Sequence, residues 1–227
     1  DAARGSLLEA SQQDASAYMR EHAGRFDVVE LDPCGSVGEL LPAAVRCLKP
    51  GGLLVATATD LGSLAGRFGD NCSARYGSQP VRSGAKLAPE LAMRILLACA
   101  ARAAGAAGRR VVPLLCVTFA DFFVRVIVEV VEEHEEAGEG AGEAEGASEA
   151  ARAEERDGFG LAIVCAECGA AEAQPLGRPQ QVCVACEQCG GCEREAGGPI
   201  WLGRIADPAF VASMLAALPC PASAGVA

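Results

Sequence analysis

Two groups of residues in this sequence have the types and spacing to do chemistry. The first is a pair of C-x2-C motifs, Cys165–Cys168 and Cys186–Cys189, separated by 17 residues. Four thiolates at that spacing suit a tetrahedral zinc ion with no open coordination position, which makes the site structural and not catalytic. A glycine follows each pair (Gly169, Gly190), as the tight turn of a zinc knuckle requires. Cys183 and Cys192 offer competing C-x2-C pairs, so the ligand register stays open in the sequence. The second group is Asp32-Pro33-Cys34-Gly35. A fixed φ at proline, a small side chain and a permissive glycine together make a tight turn that presents a carboxylate and backbone carbonyls to a ligand.

The elements that must position these groups are readable from hydrophobic pattern. Phe26 to Leu31 is a short apolar strand running into Asp32, and Val37 to Leu48 reads as the helix that follows, stopped by Lys49-Pro50-Gly51-Gly52. Leu53 to Thr59 is a second strand, nearly continuous in apolar residues as in a strand buried on both faces, and it ends at Asp60. Strand, helix, strand predicts a parallel sheet, and ligands of such sheets bind beyond the carboxyl ends of the strands, where both Asp32 and Asp60 fall. An alternative role for Asp60 is to cap a helix over Leu61 to Phe68. Pro89 to Ala104 predicts a long helix, and Val111–Phe119 with Phe122–Val131 an antiparallel edge pair joined around Ala120-Asp121. Residues 1–131 then form one α/β domain and 132–158 an acidic low-complexity linker. A cysteine-rich module with little core of its own occupies 159–227, with a short helix over Pro208 to Leu218.

The 227 residues are 51% hydrophobic, enough for a sizeable core. No apolar run approaches the roughly 20 residues that span a bilayer, so no transmembrane helix is expected. The chain opens at Asp1 with neither an initiator Met nor a secretory signal, which reads as a fragment or processed chain of an intracellular protein, whether nuclear, cytoplasmic or mitochondrial. A net charge of -11 argues against a nucleic-acid partner until it is mapped. Leu61 to Arg125 holds nine basic and three acidic residues, a local +6, whereas Glu129 to Asp157 holds twelve acidic residues and two arginines, a local -10. A phosphate-binding face can therefore coexist with an acidic insert, although the same arginines also fit an ordinary solvated surface. Cys34, Cys47, Cys72, Cys99 and Cys116 sit in apolar stretches and read as buried thiols; His22 and His134 read as surface residues.

Several blocks come in a distinctive order: Leu31-Asp32-Pro33-Cys34-Gly35-Ser36, Ala56-Thr57-Ala58-Thr59-Asp60, Arg75-Tyr76-Gly77-Ser78, Met93-Arg94-Ile95-Leu96-Leu97, Phe123-Val124-Arg125-Val126 and Gly197-Gly198-Pro199-Ile200-Trp201. In order and spacing the chain resembles the tRNA guanine-26 N2-dimethyltransferase family over most of residues 14 to 211. The resemblance implies a partial Rossmann-like class I methyltransferase sheet with a small zinc-binding C-terminal module, and methyl transfer from S-adenosylmethionine to the exocyclic N2 amine of a tRNA guanine. It implies Asp32 and Pro33 as catalytic and Asp14, Ala15 and Asp32 as cofactor contacts. Cys34, Gly35, Thr59, Asp60, Arg75 and Arg125 become substrate contacts, and Cys165, Cys168, Cys186 and Cys189 the ligands of a structural Zn2+. The family's glycine-rich cofactor loop would lie upstream of Asp14. Two departures stand out: Cys34 replaces a phenylalanine expected to stack on guanine, and Ala88-Pro89-Glu90 replaces Cys-His-Glu. The reading from another class is a catalytically silent tRNA- or zinc-binding relative, and a third is a methyltransferase acting on protein or small molecules.

Overall fold

The computed structural model of the chain describes residues 8–82, 87–119, 123–133, 158–177 and 185–217. Helix α1 (Ala15–Glu21) precedes strand β1 (Phe26–Leu31), which lies parallel to β2 (Leu48–Ala58), with Leu31 opposite Ala56. Helix α2 (Leu41–Cys47) makes the crossover. Strands β3 (Arg109–Phe119) and β4 (Phe123–Glu132) form the expected antiparallel pair, and β4 enters the sheet directly beside β2, giving the order β1-β2-β4-β3. Pro113 is tolerated because β3 is an outer strand and its register shifts between Pro113 and Leu115. Between the two stretches come α3 (Leu61–Leu64), α4 (Gly69–Tyr76) and α5 (Ala88–Gly105). Leu91, Ile95, Leu96, Leu97 and Ala98 of α5 are buried in the same core as Leu54, Ala56, Val126 and Val128 of the sheet.

Three boundaries differ most from the sequence reading, the first being the helix expected over Leu61 to Phe68, which ends at Leu64. The helix expected from Val37 begins only at Leu41, because Pro42 lacks an N–H and fits the first turn but not a helix interior. The tetrapeptide Lys49–Gly52, expected to separate helix from strand, lies inside β2. The strand starts at Leu48, and a register shift between Phe26 and Val28 absorbs the extra residues while Gly51 adopts φ +75°.

The cysteine-rich segment folds as a second antiparallel sheet, β6-β5-β7, from β5 (Phe159–Cys165), β6 (Ala171–Pro175) and β7 (Arg194–Trp201). It was expected to have little core; instead Ala162, Val164, Ile200 and Trp201 join the cluster that holds the main sheet. Arg94 of α5 ties the two sheets, its Nη1 donating to the carbonyls of Trp201 at 2.9 Å and Gly203 at 3.2 Å. The Ser78 hydroxyl donates to the Pro199 carbonyl at 3.0 Å, and Gln79 pairs with Gly198 through both backbone groups. Helix α6 (Pro208–Ala217) is capped by Asp207, whose Oδ1 accepts from Ala209 N at 2.7 Å and Phe210 N at 3.0 Å. Residues 134–157 of the acidic linker, His134 among them, the Ala120-Asp121 joint, Cys183 and Cys220 lie outside the described residues, and Glu132, read as the start of the linker, ends β4. No helix among the described residues is long and apolar enough to cross a membrane.

Candidate active site and metal centre

Parallel pairing of β1 and β2 delivers Asp32 and Thr59-Asp60 to one edge of the sheet. There the Thr59 N–H donates to the Gly35 carbonyl at 3.0 Å, so the two turns touch. Gly35 has φ +128°, a conformation that side chains rarely adopt. Asp32 is 55% exposed and faces Arg125 of β4, whose Nη2 lies 3.5 Å from Asp32 Oδ2 and 3.8 Å from Glu30 Oε1. Arg125 Nε donates to Thr57 Oγ1 at 2.8 Å, and its guanidinium carbon is 5.7 Å from the centre of the Phe123 ring. The predicted residues Asp32, Gly35, Thr59 and Arg125 are thus brought together, with Cys34 exposed at the turn. Cys34 does not share the burial expected of the scattered thiols; Cys47, Cys72 and Cys99 do, and burial pushes the Cys72 thiol up to about 12.

Asp60 is not a side-chain cap for the helix after it. Its carboxylate, 11% exposed, accepts from the Tyr76 hydroxyl at 2.5 Å and from Arg75 Nη1 at 3.4 Å. Burial, reinforced by that bond to Asp60, raises Tyr76 far above the ordinary tyrosine value and keeps it a neutral donor; opposing contacts with Ser36 and Val37 do not reverse this. Tyr76 therefore links the segment after the Asp32 turn to Asp60, a role its bare place in a sequence block did not reveal. Gly38 allows the close approach: a Cβ there would come within 2.3 Å of the Arg75 carbonyl. Asp14 and Ala15 lie at the start of α1. Asp14 Oδ1 accepts from Ala17 N at 2.7 Å, which makes it an N-cap. His22, read as a surface residue, is half-buried in a ring cluster, 4.1 Å from Tyr18 and 6.0 Å from Phe26 between centroids.

The basic stretch is more structural than its charge count implied. Arg102 donates to the carbonyls of Gly77, at 2.9 Å, and Tyr76, closing the end of α4. Arg109 reaches Val45 and Leu48 carbonyls at 2.7 and 2.8 Å, and Arg94 ties the two sheets. Arg75 and Arg125 face carboxylates. With Arg94, Arg102 and Arg109 committed to carbonyls inside the fold and Arg75 and Arg125 to carboxylates, the local +6 does not translate into a face of that charge.

The Sγ atoms of Cys165, Cys168, Cys186 and Cys189 all lie within 4.8 Å of one another, with Cys165–Cys189 and Cys168–Cys186 at 3.6 Å. A tetrahedral metal with bonds of about 2.3 Å to sulfur sets its ligands roughly 3.8 Å apart, so the cluster fits such an ion. Both motifs fold alike. Gly169 N donates to Cys165 O at 2.9 Å and Cys165 N to Ala170 O at 2.8 Å; Gly190 N donates to Cys186 O at 2.8 Å and Cys186 N to Gly191 O at 2.7 Å. Backbone N–H groups of Cys189 and Gln188 pull the Cys186 thiol down to about 7. Cys189, despite the N–H of Gly191, is pushed up to about 12 by its sulfur neighbours Cys168 and Cys165. Four sulfurs this close cannot all ionise without a cation, the condition a metal would satisfy. Cys192 is exposed and outside the cluster, which resolves the register in favour of the Cys186–Cys189 pair over one using Cys192.

A parallel pair with acidic turns at its carboxyl edge, followed by a hairpin whose second strand inserts antiparallel beside it, defines part of a class I methyltransferase sheet, here joined to a four-cysteine module. Comparison with known proteins gives the same answer. The family profile described as "TRM: N2,N2-dimethylguanosine tRNA methyltransferase" matches residues 3–221. The chain is 36% identical to tRNA (guanine(26)-N(2))-dimethyltransferase 2 of Arabidopsis thaliana over 92% of its length and 35% of that protein. It is 36% identical to the human tRNA (guanine(26)-N(2))-dimethyltransferase over 93% of its length and 32% of that protein. The structure of Trm1 from Pyrococcus horikoshii in complex with S-adenosyl-L-methionine superposes with a TM-score of 0.69 at 27% identity, covering 90% of this chain and 47% of that one. The chain belongs to the N2,N2-dimethylguanosine tRNA methyltransferase family, and it spans about a third of the length of these two curated relatives.

Proposed function

We propose that the protein transfers methyl groups from S-adenosylmethionine to the exocyclic N2 amine of guanine 26 in tRNA, with Asp32 and Pro33 as the catalytic residues. The observation that carries this reading is the joined pair of turns at the sheet edge, with the exposed Asp32 carboxylate held beside Arg125 and next to Thr59-Asp60. A guanine N2 amine is a poor nucleophile because its lone pair is delocalised into the ring. Asp32 and the Pro33 carbonyl accept its N–H hydrogens, which localises the lone pair and aims it. Orientation of this kind supplies on the order of 7–11 kcal/mol, and proton acceptance a further ~10²–10⁴-fold. When bound, S-adenosylmethionine supplies the electrophilic methyl; Asp14, Ala15 and Asp32 contribute to its site. Arg125 orients Asp32. Arg75 and neutral Tyr76 hold Asp60 in place, and Cys34, Gly35, Thr59, Asp60, Arg75 and Arg125 line the path of the substrate. The target base leaves its stack to reach this edge, at a cost of a few kcal/mol.

The four cysteines hold a structural zinc ion and take no part in the chemistry. Residues 1–131 carry the reaction, 132–158 are a linker, and 159–227 support tRNA binding. The test is nucleoside analysis of tRNA after incubation with protein and S-adenosylmethionine. Dimethylguanosine or monomethylguanosine at the guanine N2 supports the reading, and unmodified tRNA with no bound cofactor contradicts it.

A further inference from the structure

At the N-terminal end of α4 lies a concavity of about 270 Å3 whose lining includes Arg67, Phe68, Asp70, Asn71, Gln79 and Arg82. None of these residues serves the site described above. Phe68 is 51% exposed, and its ring is set by backbone: its N–H donates to the Gly62 carbonyl at 2.9 Å, and a Cβ on Gly62 would come within 3.0 Å of the ring. The Arg67 guanidinium carbon sits 5.3 Å from the ring centre. Arg82 packs on Gly66, next to Arg67; its Nε donates to the Gly66 carbonyl at 3.0 Å, and its N–H to Glu195 Oε1 at 2.7 Å. Gln79 is fixed by its two backbone bonds to Gly198, at 2.8 and 2.7 Å. Phe68, at the N-cap position of α4, gives that helix no side-chain cap, so its first turn opens on the same concavity.

The geometry points to a subsite for one nucleotide of the RNA strand next to the methylated guanine, with its phosphate on Arg67 and Arg82 and its base stacked on the Phe68–Arg67 pair. Guanidinium groups and an exposed ring at one spot are the elements from which single-stranded RNA sites are built. Asp70 works against a free phosphate dianion but can accept from a ribose hydroxyl or a base amine, which favours a nucleotide over an inorganic ion. Position fits as well. The seven steps from Gly69 to Tyr76 in α4, at about 1.5 Å each, set the concavity roughly 10 Å from Tyr76, and its Phe68 packs on Gly62, two residues after Asp60. A base taken out of its stack leaves neighbours that must be held, and enzymes that extrude a base also contact the nucleotides flanking it. Because Gln79 and Arg82 are anchored to Gly198 and Glu195 of β7, the cysteine-rich sheet forms part of the mount for this subsite.

The inference rests on the tRNA reading, and the experiment separates the two. Affinity of the protein for tRNA is measured by fluorescence anisotropy across a salt series, with S-adenosylmethionine binding followed by calorimetry, for the parent, Arg67→Ala, Arg82→Ala and Phe68→Ala. Arg67 and Phe68 are exposed, and thermal melting checks that each variant is folded. Phe68→Ala is expected to weaken tRNA binding roughly tenfold. Each arginine variant should lower the slope of log Kd against log salt by about 1, with cofactor affinity unchanged. A parent that binds tRNA and variants that match it within twofold, at unchanged salt slope, overturn the subsite alone. A parent that binds no tRNA overturns the subsite and the proposed function together. Variants weakened as expected in a protein that transfers no methyl group support the subsite and overturn only the catalytic reading.

Discussion

Removing one oxygen tests how the active edge is held. Tyr76 is fully buried, and its hydroxyl donates at 2.5 Å to Asp60, a carboxylate only 11% exposed. In Tyr76→Phe the ring and its packing remain, and Asp60 keeps only Arg75, at 3.4 Å and partly in solvent. A hydrogen bond to a charged group contributes about 1.5–3 kcal/mol, and an acceptor left buried without it bears a desolvation cost of similar size. For a domain of this length 1 kcal/mol moves the melting temperature by roughly 2–4 °C, so a fall of about 3–12 °C is expected by differential scanning calorimetry. The pH dependence follows from the raised Tyr76 pKa. The unfolded tyrosine titrates near 10 and the folded one higher, so the contribution of its O–H is complete below about pH 10 and is lost only as pH rises toward the folded value. The gap between parent and variant should therefore be flat between about pH 7 and 9 as far as Tyr76 is concerned. A melting temperature within 1 °C of the parent would refute the claim that this hydroxyl braces Asp60.

Further perturbations probe other parts of the account. Gly38→Ala places a Cβ within 2.3 Å of the Arg75 carbonyl and must push α4 from the Asp32 turn; a loss of about 1–3 kcal/mol in urea unfolding is expected, larger than for an exposed Gly→Ala change such as Gly105→Ala. Arg102→Lys replaces a planar fork that binds two carbonyls by a single point charge and should cost about 1–2 kcal/mol by the same assay, against no change if the bonds are incidental. Metal analysis should find one zinc per chain in the parent and none in Cys165→Ser. Because Val164 and Trp201 share the main core, zinc removal should lower the melting temperature of the whole chain, not only disorder the second sheet. Alkylation at pH 8 should label exposed Cys34 rapidly and leave Cys72 and Cys116 unmodified, since burial pushes both of those thiols up to about 12.

The parts of the fold that the sequence disclosed are those in which local pattern and chemistry coincide. β1 and the β3–β4 pair were readable because β-branched and aromatic runs are bounded by turn residues, and the cysteine cluster because ligand spacing is a local property. The Leu41 start of α2 was encoded in Pro42 but masked by apolar residues that continue on either side of it. What stayed hidden depends on contacts distant in sequence. Nothing near Arg94, Arg102 or Arg109 marks them as partners of carbonyls; they meet their acceptors only when α5 packs on β7 and α4, and β3 on α2 and β2. The charge count therefore overstated the phosphate-binding face. Tyr76 and Phe68 were equally opaque. One is buried against a carboxylate 16 positions away and the other is left in solvent, and residue type alone does not tell which.

The central claim is that Asp32 accepts the one proton the guanine amine releases at each methyl transfer, and Asp32→Asn tests it with little structural disturbance. Asparagine keeps an oxygen for Arg125 Nη2, which lies 3.5 Å from the aspartate now, so the turn and tRNA affinity should be retained, and the comparison is made at saturating cofactor. Transfer of labelled methyl from S-adenosylmethionine to tRNA under single-turnover conditions should slow by about 10²–10⁴-fold in the variant. A variant that binds tRNA as the parent does and methylates guanine within threefold of the parental rate would contradict the account.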